Sequence, residues 1–254
     1  MNLEQFCIQL ESIAPHSLAL DFDNVGLLIT PDHDEIKRVL VALDLTEAVA
    51  EEAVKGEYDL VLTHHPIFLD PVRSISQSDS KTAAAYRLIR HGIGHFTAHT
   101  NLDACVGGVN DVLAEMLSLS EVKPLPPEGL GRYGTLPDII PFRMFAERCE
   151  TLFGIKGRFV GDPDQLIRTV AVIGGAGGGD AEAVVKVGCD AFVTGEMKHH
   201  QSLVAVHYGL CCCVLGHYET EFPVLKPLIN RLQNGKNDVQ YDLIQSGNTP
   251  MYCL

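Results

Sequence analysis

The chain has 254 residues, 46% of them apolar, enough for one large domain or two small ones with a substantial core. A formal charge of −14, from 33 acidic against 19 basic side chains, argues against non-specific binding to a nucleic-acid backbone. No run approaches the ~18 continuous apolar residues of a membrane span, and the N-terminus lacks a basic-then-apolar signal peptide, so the expectation is a soluble, cytoplasmic protein with no membrane partner.

Apolar residues at Leu3, Phe6, Cys7, Leu10 and Ile13 keep helical spacing, with Pro15 just beyond. Asp21 to Ile29 is a turn signal running into a strand. Val39 to Leu43 is a second strand, and Thr46 caps a helix that ends before Gly56. Leu60 to Leu62 is a short buried strand that stops at His64-His65-Pro66. A polar loop from Ser74 to Ser80 precedes a helix over Thr82 to Arg90, a strand near His95 to Ala98, and a helix over Gly108 to Leu117. Val122 to Thr135, rich in Pro and Gly, reads as a linker, giving domains at 1–125 and 126–254 with the final strand free to pack back on the first.

In the second half, Phe142 to Phe153 is a helix and Thr169 to Ile173 a strand. Gly174 to Gly179 opens a helix through Val187. This run could cradle a phosphate, but it lacks the Lys-Ser/Thr of a P-loop, and a tight strand-to-helix turn explains it better. Ala191 to Thr194 is a strand ending in Gly195-Glu196, followed by a helix over Leu203 to His207 and a strand over Leu210 to Leu215. Cys211, Cys212 and Cys213 within it suit small buried thiols rather than disulfides or a soft-metal site. An apolar helix to Leu232, kinked or delayed by Pro227, and a strand near Tyr241 to Ile244 close the chain.

The order repeats. Arg38 to Asp44 resembles Arg168 to Gly174, Asp59 to Thr63 resembles Asp190 to Thr194, and His99-x-x-x-Asp103 parallels His217-x-x-x-Glu221. The fold class is therefore two related α/β units with mixed sheets flanked by helices.

Neighbouring strand side chains face apart, so His64 and His65 can share a site only where the chain is leaving the sheet, which Pro66 favours. On a helical first turn, His217 and Glu221 lie on one face. With Asp103, the set His64, His65, Asp103, His217 and Glu221 exceeds one four-coordinate zinc and suits two bridged divalent ions. Mixed N and O ligation fits Zn, Mn, Fe, Co or Ni. His99 is assigned to orienting a ligand, and Glu196 and His199 to acid/base work, against the plainer reading of a polar helix start. This chemistry is hydrolytic; the alternative is a metal-binding scaffold or metallochaperone acting through protein partners.

The motifs Asp23-Asn24-Val25-Gly26-Leu27, Thr63-His64-His65-Pro66 with Phe68, His99-Thr100-Asn101-Leu102-Asp103, Gly188-Cys189-Asp190 to Gly195, and Gly216-His217-Tyr218-x-Thr220-Glu221 span the chain. Together they resemble the Nif-three-like family, dinuclear metal-centre proteins labelled GTP cyclohydrolase type-two homologues. The resemblance implies metal ligands at the same five positions, a toroidal homohexamer, and activity on a nucleotide or phosphorylated small molecule. Phe22 stands where the family commonly has Trp, and the linker leaves no room for the extra domain of longer members.

Overall fold

The computed structural model of the protein describes residues 1–235 and 238–244. They divide into two compact units, one holding Met1–Val106 with the described residues from Leu225 onward, the other Gly107–Val224.

The first unit opens with α1 (Leu3–Ile13), where Asn2 and Gln5 form a capping box and Phe6, Leu10 and Ile13 are buried. It continues through β1 (Gly26–Ile29), β2 (Arg38–Ala42), α2 (Glu47–Lys55), β3 (Leu60–Thr63), α3 (Ala83–Arg90), β4 (Gly94–Thr97) and α4 (Thr100–Ala104). The Thr46 hydroxyl caps α2 by accepting from the Val49 amide. The second unit contains α5 (Val109–Met116), β5 (Ser120–Pro124), β6 (Arg132–Pro141), α6 (Phe142–Phe153), β7 (Arg158–Val160), β8 (Leu166–Ile173), α7 (Ala181–Lys186), β9 (Ala191–Thr194), α8 (His199–His207), β10 (Cys211–Val214) and α9 (His217–Glu221). The chain then returns to the first unit as α10 (Leu225–Asn234) and β11 (Gln240–Leu243). Pro227 sits in the first turn of α10, where its missing N–H has no helical partner to lose.

The first sheet has the order β1-β4-β3-β2-β11 and the second β5-β6-β8-β9-β10-β7. In each, three central strands run parallel (β2, β3, β4; β8, β9, β10) and an antiparallel strand borders the last of them. Both parallel cores are almost wholly buried, which is why they read as continuous apolar runs without alternation. The internal repeat extends to hydrogen bonds. Asp59 accepts from the Lys37 and Arg38 amides at 2.7 and 2.8 Å. Asp190 accepts from those of Arg168 and Thr169 at 2.9 and 2.8 Å. One carboxylate at the foot of the middle strand thus ties down its neighbouring strand in both units.

One expectation is corrected. The Pro- and Gly-rich Val122 to Thr135 stretch contributes to two strands, β5 and β6, paired antiparallel. Pro126, Pro127, Gly129 and Gly131 lie in the turn between them. β7 escapes a pattern reading because three residues carry no periodicity; it is specified by its pairing with β10. The cysteine triplet lies buried in β10, and burial pushes the Cys211 and Cys212 thiols up to about 11 and 12, so they stay protonated at neutral pH.

His95, on β4, is fully buried; its Nε2 contacts the Thr63 hydroxyl at 2.8 Å, and Nδ1 has no hydrogen-bond partner among the described residues. Burial lowers its pKa to about 3. The unfolded chain therefore binds this proton near pH 6.5 while the folded one refuses it. Stability from this group is complete above ~6.5 and falls by up to about 1.4 kcal/mol per pH unit on acidification towards 3. Urea unfolding at pH 7 and pH 5 should show the loss in the wild type and a shallower pH dependence in His95→Gln. Equal slopes would remove His95 as its source.

Candidate metal centre

All eight residues singled out for the site lie at or beyond the carboxyl ends of the central parallel strands, where α/β sheets commonly place their sites. In the first unit, the chain leaves β3 at Thr63. The Thr63 and Thr97 hydroxyls donate to the His65 carbonyl at 2.7 and 3.0 Å, and the His65 amide donates to the Leu43 carbonyl at 3.0 Å. These bonds hold the chain where alternation has ended, and the His64 and His65 rings come to 4.9 Å between centroids at 47°.

Each ring is oriented through Nδ1. His64, at 0% exposure, donates to the Ala98 carbonyl at 2.8 Å, and His65 donates to Asp44 at 2.7 Å. His99 donates to Asp23 at 2.8 Å. That carboxylate also accepts from the Thr100 amide at 3.0 Å and from the Thr100 hydroxyl. Burial alone would raise the Asp23 pKa, but these bonds and the adjacent imidazole outweigh it and hold it well below the usual carboxylate range. With the proton fixed on Nδ1, each imidazole presents the Nε2 lone pair a metal ion requires. Asp103, largely buried on α4, brings Oδ1 to 3.6 Å from His64 Nε2.

In the second unit, three parallel strands end in glycine: Gly174-Gly175 after β8, Gly195 after β9 and Gly216 after β10. The absent side chains admit α9. Gly175, at φ +59°, lies against the Glu221 carboxylate and His217, where a Cβ would collide with the carboxylate and crowd the ring. The Thr220 hydroxyl accepts from the Gly175 amide at 3.0 Å, anchoring the helix to the strand ends. His217 Nδ1 donates to Glu196 at 3.1 Å, and its Nε2 faces Glu221 Oε2 at 3.0 Å. Once Nδ1 holds the ring proton, Nε2 and Oε2 are both acceptors, a juxtaposition relieved by a shared proton or a cation. The donor set therefore fits a divalent ion.

Glu196, 52% exposed on its side chain, touches His217; the exposed His199 ring at the start of α8 is tied to none of these groups by a hydrogen bond or ion pair among the described residues. The glycine run serves close packing: a Cβ at Gly177 would strike Ile173, and one at Gly178 the Glu196 carbonyl. The third repeat match shifts by one residue. The Ala98 amide donates to the Thr63 carbonyl as the Leu215 amide donates to the Thr194 carbonyl, so His99 corresponds to Gly216, and both occupy the N-cap. His217 is the backbone counterpart of Thr100. Sequence reasoning also missed Asp44 and Asp23 as partners of His65 and His99. They lie 21 and 76 residues from those rings, and no local spacing links them.

No described helix is long and apolar enough to cross a membrane. Over 236 residues the chain is 35% identical to a Streptomyces coelicolor protein named GTP cyclohydrolase 1 type 2 homolog, covering 87% of this chain and 82% of that one. It is 32% identical to Drosophila melanogaster NIF3-like protein 1, covering 84% and 75% of the two chains. The fold matches the crystal structure of Staphylococcus aureus hypothetical protein SA1388 with a TM-score of 0.91 at 27% identity, covering 100% of this chain and 99% of that one. A Bacillus cereus protein related to NIF3 has the same fold at TM-score 0.91 and 22% identity, covering 100% and 99%. The family model Duf34/NIF3 (NGG1p interacting factor 3) matches residues 1–250, and the chain belongs to that family.

Proposed function

We propose that this protein is a metal-dependent hydrolase that uses two divalent ions to act on a nucleotide or related phosphorylated small molecule, with opening of the guanine ring of GTP as the first reaction to test. The observation that carries the reading is the common state of His64, His65 and His217: each has Nδ1 committed to a protein acceptor, leaving Nε2 as the ligand atom, with a buried carboxylate beside His64 and His217. The proposed ligands are His64, His65, Asp103, His217 and Glu221, and Zn, Mn, Fe, Co or Ni suits this mixture of nitrogen and oxygen donors. The relatives' cyclohydrolase name supports the substrate class. A ring-shaped homohexamer is the proposed assembly.

Bound ions of this kind lower the pKa of water and stabilise a developing oxyanion. The protein's own part is orientation and proton movement. The Ala98 carbonyl and Asp44 keep two rings in the ligating tautomer. Glu196 holds His217 with one oxygen, and its exposed carboxylate takes up a proton in the reaction; His199 is the second proton carrier. Glu196→Gln should lower turnover about 10²-fold while metal content stays intact, because the amide oxygen still accepts from His217 Nδ1. Parallel loss of metal and turnover would reduce Glu196 to a positioning residue.

The primary test is metal analysis of protein purified without chelator, followed by a nucleotide screen with the matching ion. Two ions per chain and hydrolysis of GTP or another nucleotide are expected. Tightly held metal with no turnover on any nucleotide would favour the scaffold or metallochaperone.

A further inference from the structure

Beside α3 the first unit has a cavity of about 270 Å³ that shares no residue with the candidate metal centre. Tyr86, Arg87, Arg90 and the C-capping His91 line it, with Glu47 from the start of α2 and Gln77 from the loop before α3. Residues three and four apart share one face of a helix, so α3 sets two guanidinium groups side by side at the cavity. Cations in a last helical turn offset the helix dipole, which accounts for their sign. It does not account for the state of Arg87. Its Nε is shut off from solvent without a hydrogen bond, and the guanidinium makes no hydrogen bond or ion pair among the described residues. Glu51, the nearby carboxylate, is engaged by Lys55 at 3.1 Å. A partly buried cation left without an acceptor is costly unless a ligand supplies one. Its neighbours are already positioned. Arg90 Nη1 donates to the Tyr86 hydroxyl at 3.2 Å, and His91 Nδ1 donates to the Arg87 carbonyl at 2.8 Å, which leaves Nε2 of the neutral ring as an acceptor.

We propose that this cavity is a binding site for a small phosphorylated polyol of the sugar-phosphate class, its phosphate held by Arg87 and Arg90 and its hydroxyls by Glu47, Gln77 and His91. Two forked guanidinium groups match the oxygens of a phosphate monoester, whose charge of about −1.5 to −2 balances both. A carboxylate would leave one cation uncompensated. The acceptors opposite suit a ligand that also carries hydrogen-bond donors, which bare phosphate lacks. The volume falls just short of the ~300 Å³ at which pockets for drug-sized ligands begin, so the occupant is smaller than a nucleotide. The site does not depend on the metal-centre reading.

The test is calorimetric titration of the full chain, freed of metal so that no bound ion can hold phosphate elsewhere. The probes are ribose 5-phosphate, glucose 6-phosphate and glycerol 3-phosphate, with inorganic phosphate and AMP for comparison. At least one of the three polyol phosphates should bind with one equivalent per chain, ~10-fold or more tighter than inorganic phosphate or AMP. Arg87→Gln and Arg90→Gln should each weaken it ~10–100-fold, the scale of a lost charge-assisted hydrogen bond. Arg148→Gln, the same charge change at an exposed position of α6, should leave it unchanged. Arg90 is exposed, so its variant decides the matter should Arg87→Gln fail to fold. Metal content of both variants should equal that of the wild type, which keeps this test separate from that of the metal centre. No saturable binding of any polyol phosphate, an affinity indifferent to Arg90, or inorganic phosphate or AMP binding as tightly as the polyol phosphates overturns the site.

Discussion

Glu221→Gln is expected to release at least one ion from each chain on dialysis. The carboxylate is buried, faces His217 Nε2 at 3.0 Å and is packed against Gly175. Replacing it with an amide keeps the volume but removes the charge and one strong acceptor, leaving His217 with a poor co-ligand. Elemental analysis after dialysis should fall from two ions per chain to one or none, with circular dichroism unchanged. Unaltered metal content would show that Glu221 has no part in ligation and that its approach to His217 reflects a shared proton.

The second large effect is structural. Gly195→Ala should destabilise the second unit by ~3 kcal/mol or more and cost it metal as well. A Cβ at Gly195 would lie 2.7 Å from each of the Gly175 carbonyl, the Gly216 carbonyl and the Thr220 hydroxyl. Two of those atoms are backbone at the ends of neighbouring strands, so they cannot swing away as a flexible side chain would. The Gly216 amide also donates to the Gly195 carbonyl at 3.0 Å, so relief at one strand end strains the next. Because Thr220 anchors α9, displacement carries His217 and Glu221 with it. The checks are the urea midpoint and metal stoichiometry of the variant. Wild-type values for both would mean that the strand ends have slack the close approach does not suggest.

Much of the fold was legible in the residues because its parts are local. Thr46 reads as a cap since its own hydroxyl reaches the Val49 amide three residues on. Ala191 to Thr194 reads as a strand because burial on both faces demands an unbroken apolar run. The candidate ligands were legible for a related reason. Adjacent histidines before a proline, and a histidine four residues before a glutamate, are local arrangements whose chemistry follows from residue type and spacing.

What tertiary structure alone decided involves partners far apart in the chain. Asp44 and Asp23 have no legible partner in the sequence; the fold brings them behind His65 and His99. Val122 to Thr135 shows only Pro and Gly, and it becomes two strands because β8 offers a pairing edge to β6. The correspondence of His99 with Gly216, one residue away from what motif spacing suggests, is set by ladder register between strands. A ligand's type is a property of one residue, whereas its orientation, tautomer and packing depend on hydrogen bonds and contacts that exist only once distant segments have met.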